Sequence, residues 1–223
     1  MVRTKLADRE LPNYTKGEEV FNMVSHIAGA VFGIVALVLS VVFSALHHNT
    51  WAVVSSAIYG GSLILLYVNS SVYHGLHKNM GKKVMQVIDH CTIFFLIGGT
   101  YTPILLCAIR PVYPGWGWTI FGIVWGCCIL GTVFTAIDLK KYSKLSMICY
   151  VGIGWCIVIA IKPVMETVQF GALLLILFGG IAYTVGAVLY AIGKKKRYMH
   201  SLFHLFVLAG SALHFIAIFK YII

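Results

Sequence analysis

Acidic residues are nearly absent: only seven Asp and Glu occur in 223 residues. Charged residues of both signs make up 11% of the chain, against about a quarter in a soluble domain. That is too little charge to solvate a globule of this size. Cysteines at ligand spacing are also lacking. Cys91, Cys107, Cys127, Cys128, Cys149 and Cys156 all lie inside apolar runs, with no CxxC pair among them. A disulfide framework or a zinc knuckle needs cysteines in loops or at paired spacing, so these six read as small apolar packing residues. A cleavable signal peptide is not expected, because residues 1–19 are polar and the first apolar run is too long for an h-region.

What is present is apolar. Hydrophobic residues make up 60% of the sequence and the mean hydropathy is +0.89, so the bilayer is the expected solvent. Seven apolar runs stand at about 20–46, 52–77, 84–108, 115–137, 143–163, 167–192 and 199–221. Each is long enough to cross a hydrocarbon core of ~30 Å as a helix. The fold class is therefore an all-α membrane bundle of seven helices, with residues 1–19 as a polar tail and 20–223 as one transmembrane domain. Short connections make sequence neighbours antiparallel. The glycine pairs Gly29-x3-Gly33 and Gly122-x3-Gly126 are at helix-contact spacing. Pro103 reads as a kink and Pro163 as a helix end.

The formal net charge of +10 is a topology signal rather than a nucleic-acid footprint, because the basic residues sit in short clusters between the runs. Of 17 Lys and Arg, all but Arg110, Lys162 and Lys220 fall on one side. They occupy the tail (Arg3, Lys5, Arg9, Lys16), the second loop (Lys78, Lys82, Lys83), the fourth (Lys140, Lys141, Lys144) and the sixth (Lys194, Lys195, Lys196, Arg197). By the positive-inside rule that side is cytoplasmic. The N-terminus is then inside and the C-terminus outside, opposite to G-protein-coupled receptors. A retinal protein needs a buried lysine in its last helix, and Lys220 lies at the very end of it. No internal repeat supports a transporter.

Ionisable groups inside a span are expensive and raise a functional hypothesis. His74 lies about one turn from the inner end of the second span and Ser70 one turn deeper. Asp89 and His204 each lie six residues into their spans, ~9 Å deep at helical rise, and His26 sits at similar depth in the first. Groups from four helices thus share one layer. His200-x3-His204 and Ser70-x3-His74 are i, i+4 pairs that share a helix face. Two histidines from one helix and one from another make a three-nitrogen set, which in a zinc centre leaves a coordination position open for water. Asp89 is placed to orient or deprotonate that water. Three imidazoles also suit iron, copper or nickel, and a metal-free polar network is the alternative. Glu19, Asn22 and His26 share a face of the first helix and read as a cap and as supporting partners. His90 points about 100° away from Asp89, toward another neighbour, and His214 lies ~21 Å beyond His200 as a hydrogen-bonded core residue.

Taken in order, Glu19-x2-Asn22-x2-Ser25-His26, Ser70-x3-His74, Asp89-His90 and His200-x3-His204 resemble the hemolysin III family, related to the progestin and adiponectin receptors and the alkaline ceramidases. The stretches Gly99-Thr100-Tyr101-Thr102-Pro103, Gly154-Trp155 and Gly179-Gly180-x2-Tyr183 are similar to the bacterial members. The resemblance covers essentially the whole chain. It implies Zn2+ held by His74, His200 and His204, water held by Asp89, and Ser70 lining the site or stabilising an oxyanion. It further implies a zinc-dependent hydrolase of a lipid amide or acyl bond in a bacterial plasma membrane, with membrane lipids as partners. The alternative is a cytolysin or membrane-homeostasis regulator with a structural zinc. A pore built from oligomers needs a polar stripe along a helix, and the sequence has only a polar cluster at one end.

Overall fold

A computed structural model describes residues 4–193 and 196–223. Arg3, Lys194 and Lys195 of the basic clusters lie outside the described residues. Among the described residues seven helical spans are long and apolar enough to cross a membrane, and no strand occurs. They are built on α1 (Lys16–Leu46), α2 (Thr50–Gly75), α3 (Met80–Pro103, the span running on to Ile109), α4 (Pro114–Ile137), α5 (Leu139–Gly154, the span running on to Thr167), α6 (Phe170–Gly193) and α7 (Met199–Tyr221). Consecutive helices pack side by side, and α1 meets α7 to close the bundle. Large apolar side chains such as Val31, Leu130, Ile148, Ile159 and Phe170 are exposed on its outer surface. An apolar surface of this extent suits lipid rather than water.

Local chemistry sets the helix starts. Lys16 opens α1 ahead of the apolar run, because Thr15 and Glu18 form a capping box. The Glu18 amide donates to Thr15 Oγ1 at 3.2 Å and the Thr15 amide donates to Glu18 Oε2 at 2.8 Å. This corrects the expectation that Glu19, Asn22 and His26 cap the helix: they lie within it and face its neighbours. Glu18 Oε1 also accepts the Tyr198 amide at 2.7 Å, which ties the start of α1 to the start of α7. Asn49, Asn79 and Asp138 cap α2, α3 and α5 through their side chains.

The prolines act differently from one another. Pro103 ends the α-helical part of α3, and the chain continues through a π-helical turn over Ile104–Ile109. Pro163 does not end its helix. The irregularity comes before it, in the 3-10 stretch Cys156–Ala160, and helix resumes over Ile161–Thr167. Proline has no N–H to donate to the carbonyl four residues earlier and is tolerated in the first turn of the resumed segment.

The two glycine pairs also part company. A Cβ on Gly29 would stand 2.4 Å from the Tyr67 ring, and one on Gly33 would press on Leu63 and Ile64. This pair lets α1 lie directly on α2. Gly122 and Gly126 have nothing within 4 Å of such a Cβ, so they make no helix contact among the described residues. Gly29→Ala should therefore cost about 1–3 kcal/mol through overpacking, while Gly126→Ala stays within ~0.5 kcal/mol. Thermal unfolding in detergent, read side by side, checks both.

Candidate metal centre

Residues near one end of α1, α2, α3 and α7 come together, as their shared depth requires. His74, His200 and His204 are all buried, and one ring nitrogen from each lies within 4.8 Å of the others. His200 Nε2 stands 3.3 Å from His74 Nε2 and 3.1 Å from His204 Nε2. Two nitrogens bound at ~2.0–2.1 Å to one tetrahedral ion lie about 3.3–3.4 Å apart, so the spacing fits a shared metal.

The proton arrangement supports the same conclusion. His74 Nδ1 donates to Glu19 Oε2 at 2.7 Å, which leaves Nε2 as a lone pair facing the other rings. A proton on His200 Nε2 can serve only one of its two neighbours. One cation at the centre satisfies all three nitrogens, so the cluster can hold a metal ion.

Glu19 is itself held. Its Oε1 accepts from Lys82 Nζ at 2.6 Å, and the same ammonium donates to the Leu76 carbonyl at 2.9 Å and lies 3.5 Å from the His74 carbonyl. Lys82 is only 2% exposed, so its charge is neutralised by Glu19 and by backbone oxygens rather than by water. A carboxylate on the far nitrogen of a ligating histidine fixes its tautomer and ring orientation. Glu19 has that position, and Lys82 fixes Glu19.

His26 does not join the three nitrogens. Its ring stacks on His204 with centroids 3.6 Å apart and 17° between planes, and meets Tyr67 edge-on. Asn22 is fully buried below it. His204 Nδ1 lies toward the Asn22 carbonyl without reaching full hydrogen-bond geometry. Both residues thus shape the seat of His204.

Asp89 and Ser70 line one cavity together with His200 and His204. The Ser70 hydroxyl lies near the Asp89 carboxylate, and His90 Nδ1 lies 3.8 Å from Asp89 Oδ2. His90 turns its other nitrogen to the Tyr190 hydroxyl of α6, 2.9 Å away, as its position on the helix requires. The cavity holds about 150 Å3 and runs from this group between α3, α5, α6 and α7 as far as His214.

Two contributors are not visible in the sequence pattern. Lys82 belongs to a basic cluster that reads as a loop charge. Tyr14 belongs to the polar tail, yet its ring stacks on His200 with centroids 4.9 Å apart and 20° between planes. Burial beside Tyr190 raises the Tyr14 phenol well above its usual range, so it is a neutral hydroxyl. The tail reaches this place because it is tied down. The Thr4 amide donates to Asp138 Oδ2 at 2.8 Å, Lys78 Nζ donates to Asn13 Oδ1 at 2.8 Å, and Lys83 Nζ donates to the Ala7 carbonyl. The one sequence signal for Tyr14 is a lone aromatic immediately before the helix cap.

The profile of the family described as Haemolysin-III related matches residues 14–215, from Tyr14 to beyond His214. "Hemolysin-3" of Bacillus cereus is 37% identical over 206 residues, 92% of each chain. "Hemolysin-3 homolog" of Bacillus subtilis is 37% identical over 208 residues, 93% of this chain and 96% of the relative. The human "Monocyte to macrophage differentiation factor" is 26% identical over 209 residues, 88% of this chain and 84% of its own. With seven apolar spans, the buried histidine cluster and a family match along nearly the whole length, this chain is a multi-pass membrane protein that belongs to the Haemolysin-III related family.

Proposed function

We propose that the protein is a zinc-dependent hydrolase of a lipid amide or related acyl bond, working near the cytoplasmic face of the plasma membrane. One observation carries the reading: of three histidines with convergent nitrogens, His200 and His204 line one end of an elongated, largely apolar cavity together with the Asp89 carboxylate. Zinc, when bound, supplies Lewis acidity toward a carbonyl and acidifies water at neutral pH.

The chain's own residues do the rest. His74, His200 and His204 hold the ion, with Glu19 and Lys82 fixing the His74 ring. Asp89 takes the proton of the attacking water as the C–O bond forms and hands it to the leaving amine as the C–N bond breaks. Ser70 orients the Asp89 carboxylate. The cavity takes the hydrocarbon chain of the substrate and keeps water away from it.

Lys82→Met removes the cation from Glu19 and loosens the carboxylate that orients His74. Metal affinity should fall about 10–100-fold, measured by competition with a chromogenic chelator on the folded protein. Unchanged affinity would remove Lys82 from the site.

A second reading has its own observation. Tyr14 lies flat on His200 and covers the cluster from the tail side, as suits a structural zinc in a regulator of the bilayer or a cytolysin, the activity that the name of the Bacillus cereus relative carries. Metal analysis of the purified protein, followed by a screen of lipid amides for released fatty acid, separates the two. Stoichiometric zinc with turnover supports the hydrolase, and stoichiometric zinc without turnover on any lipid amide supports the structural role.

A further inference from the structure

Several motifs noted in the sequence have no part in the histidine cluster. Gly180 and Tyr183, Gly154 and Trp155, and Thr100 and Tyr101 instead wall the far end of the same cavity. His214 is there too, fourteen residues beyond His200 on α7, or ~21 Å along the helix axis. A pocket for a bare hydrocarbon chain needs no polar groups at that end, so the hydrogen bonds of each require an account.

Most are satisfied within the protein. The Tyr101 hydroxyl donates to the Gly154 carbonyl at 2.8 Å and accepts the Ile157 amide at 2.9 Å. Trp155 Nε1 donates to Thr184 Oγ1 at 3.0 Å, and Thr184 donates to the Gly180 carbonyl at 2.8 Å. Thr100 donates to the Leu96 carbonyl at 2.7 Å.

His214 and Tyr183 are different. His214 Nε2 lies 3.1 Å from the Ile176 carbonyl, so it carries the ring proton. Nδ1 is then a bare acceptor, and it has no hydrogen-bond partner among the described residues. His214 is 8% exposed. A buried acceptor without a donor costs about 1–3 kcal/mol, so a donor is expected to meet it. The Tyr183 hydroxyl lies 2.8 Å from Ser211 Oγ, which already accepts from the Tyr67 hydroxyl at 2.7 Å. The Ser211 hydroxyl can donate to Tyr183, which leaves the Tyr183 proton free. The two rings stand 5.3 Å apart.

The backbone makes room for both rings. A Cβ on Gly179 would lie 2.3 Å from His214 Cδ2, and one on Gly210 would lie 3.0 Å from Tyr183 Cε1. An acceptor and a donor set side by side at the end of an apolar pocket match one alcohol group, which gives a proton to His214 Nδ1 and accepts one from Tyr183.

We propose that His214 and Tyr183 form a hydroxyl-recognition subsite, and that the chain taken by this cavity bears a hydroxyl group partway along its length. This rests on reading the cavity as the seat of a lipid's hydrocarbon chain, and it names the substrate class as a hydroxylated acyl or alkyl lipid.

Equilibrium binding to the purified full-length protein tests it. The probes are stearic acid and a positional series of monohydroxystearic acids, each displacing a fluorescent fatty acid. One or two neighbouring isomers should bind about 3–10-fold tighter than stearic acid, the worth of one buried hydrogen bond. Tyr183→Phe and His214→Phe should bring those isomers back to the affinity of stearic acid measured on the same variant. Equal affinity across the series in the wild type overturns the proposal. So does discrimination that survives Tyr183→Phe, and so does failure of every probe to bind. Because no turnover is needed, discrimination in a protein that hydrolyses no lipid amide sinks the hydrolase and leaves the subsite standing. Hydrolysis without discrimination does the reverse.

Discussion

Asp89→Asn should keep the metal content of the wild type and lower kcat/KM for a lipid amide by about 10²–10⁴-fold, the usual worth of a positioned general base. The substitution is nearly isosteric. It stays beside Ser70 and keeps the walls of the cavity, but it can no longer accept the proton of water. Asp89 is not one of the three converging nitrogens, so the metal should stay. The pair of measurements is metal analysis and released fatty acid on the same preparation. A rate within a few-fold of the wild type, with zinc retained, would show that Asp89 only partners Ser70 and His90 and is not the general base. Loss of the metal would mean that the carboxylate is itself a ligand. Ser70→Ala offers a graded comparison: the base survives with a freer rotamer, so the loss should be smaller than for Asp89→Asn.

The sequence disclosed the helices and the site unequally, and each for a physical reason. Span positions were legible because a bilayer forces long apolar runs, and the convergence of His74, Asp89 and His204 was legible because helical rise converts residue number into depth. Helix ends were less so. The start at Lys16 depends on a capping box outside the apolar run, and the continuation past Pro163 depends on a 3-10 stretch that hydropathy does not register. Gly122-x3-Gly126 has the same spacing as Gly29-x3-Gly33, yet only the second meets a neighbouring helix, since spacing says nothing about which face looks inward. Lys82 and Tyr14 were hidden for a related reason. A lysine near a loop reads as a topology charge until its ammonium is seen against Glu19, 63 residues away, and a tail tyrosine gives no sign that its ring will lie on His200, near the other end of the chain. The role of Glu19 was half visible: its helix face was readable, and its partner on α2 was not.

Removing two of the three nitrogens should have the largest effect of all. His200→Ala/His204→Ala leaves His74 as the last member of the cluster, and one imidazole does not retain zinc through purification. Metal should fall from about one equivalent to background, and hydrolysis with it. The same variant also tests whether the ion holds the fold together. A metal that binds only the folded state stabilises it by mass action, by about 4 kcal/mol at a thousand times its Kd. Chelator should therefore lower the Tm of the wild type, and it should leave the Tm of the variant where it is. The remaining core is independent of the cluster: the close contact of α1 with α2 at Gly29 and the Tyr67–Ser211 bond are both retained, so the variant should still fold. Metal absent from both proteins, with both folded and both indifferent to chelator, would leave three buried imidazoles sharing protons with one another and with Glu19. The helices would then be joined by a polar network, and Lys82 would be the counter-charge that holds Glu19 ionised beneath it.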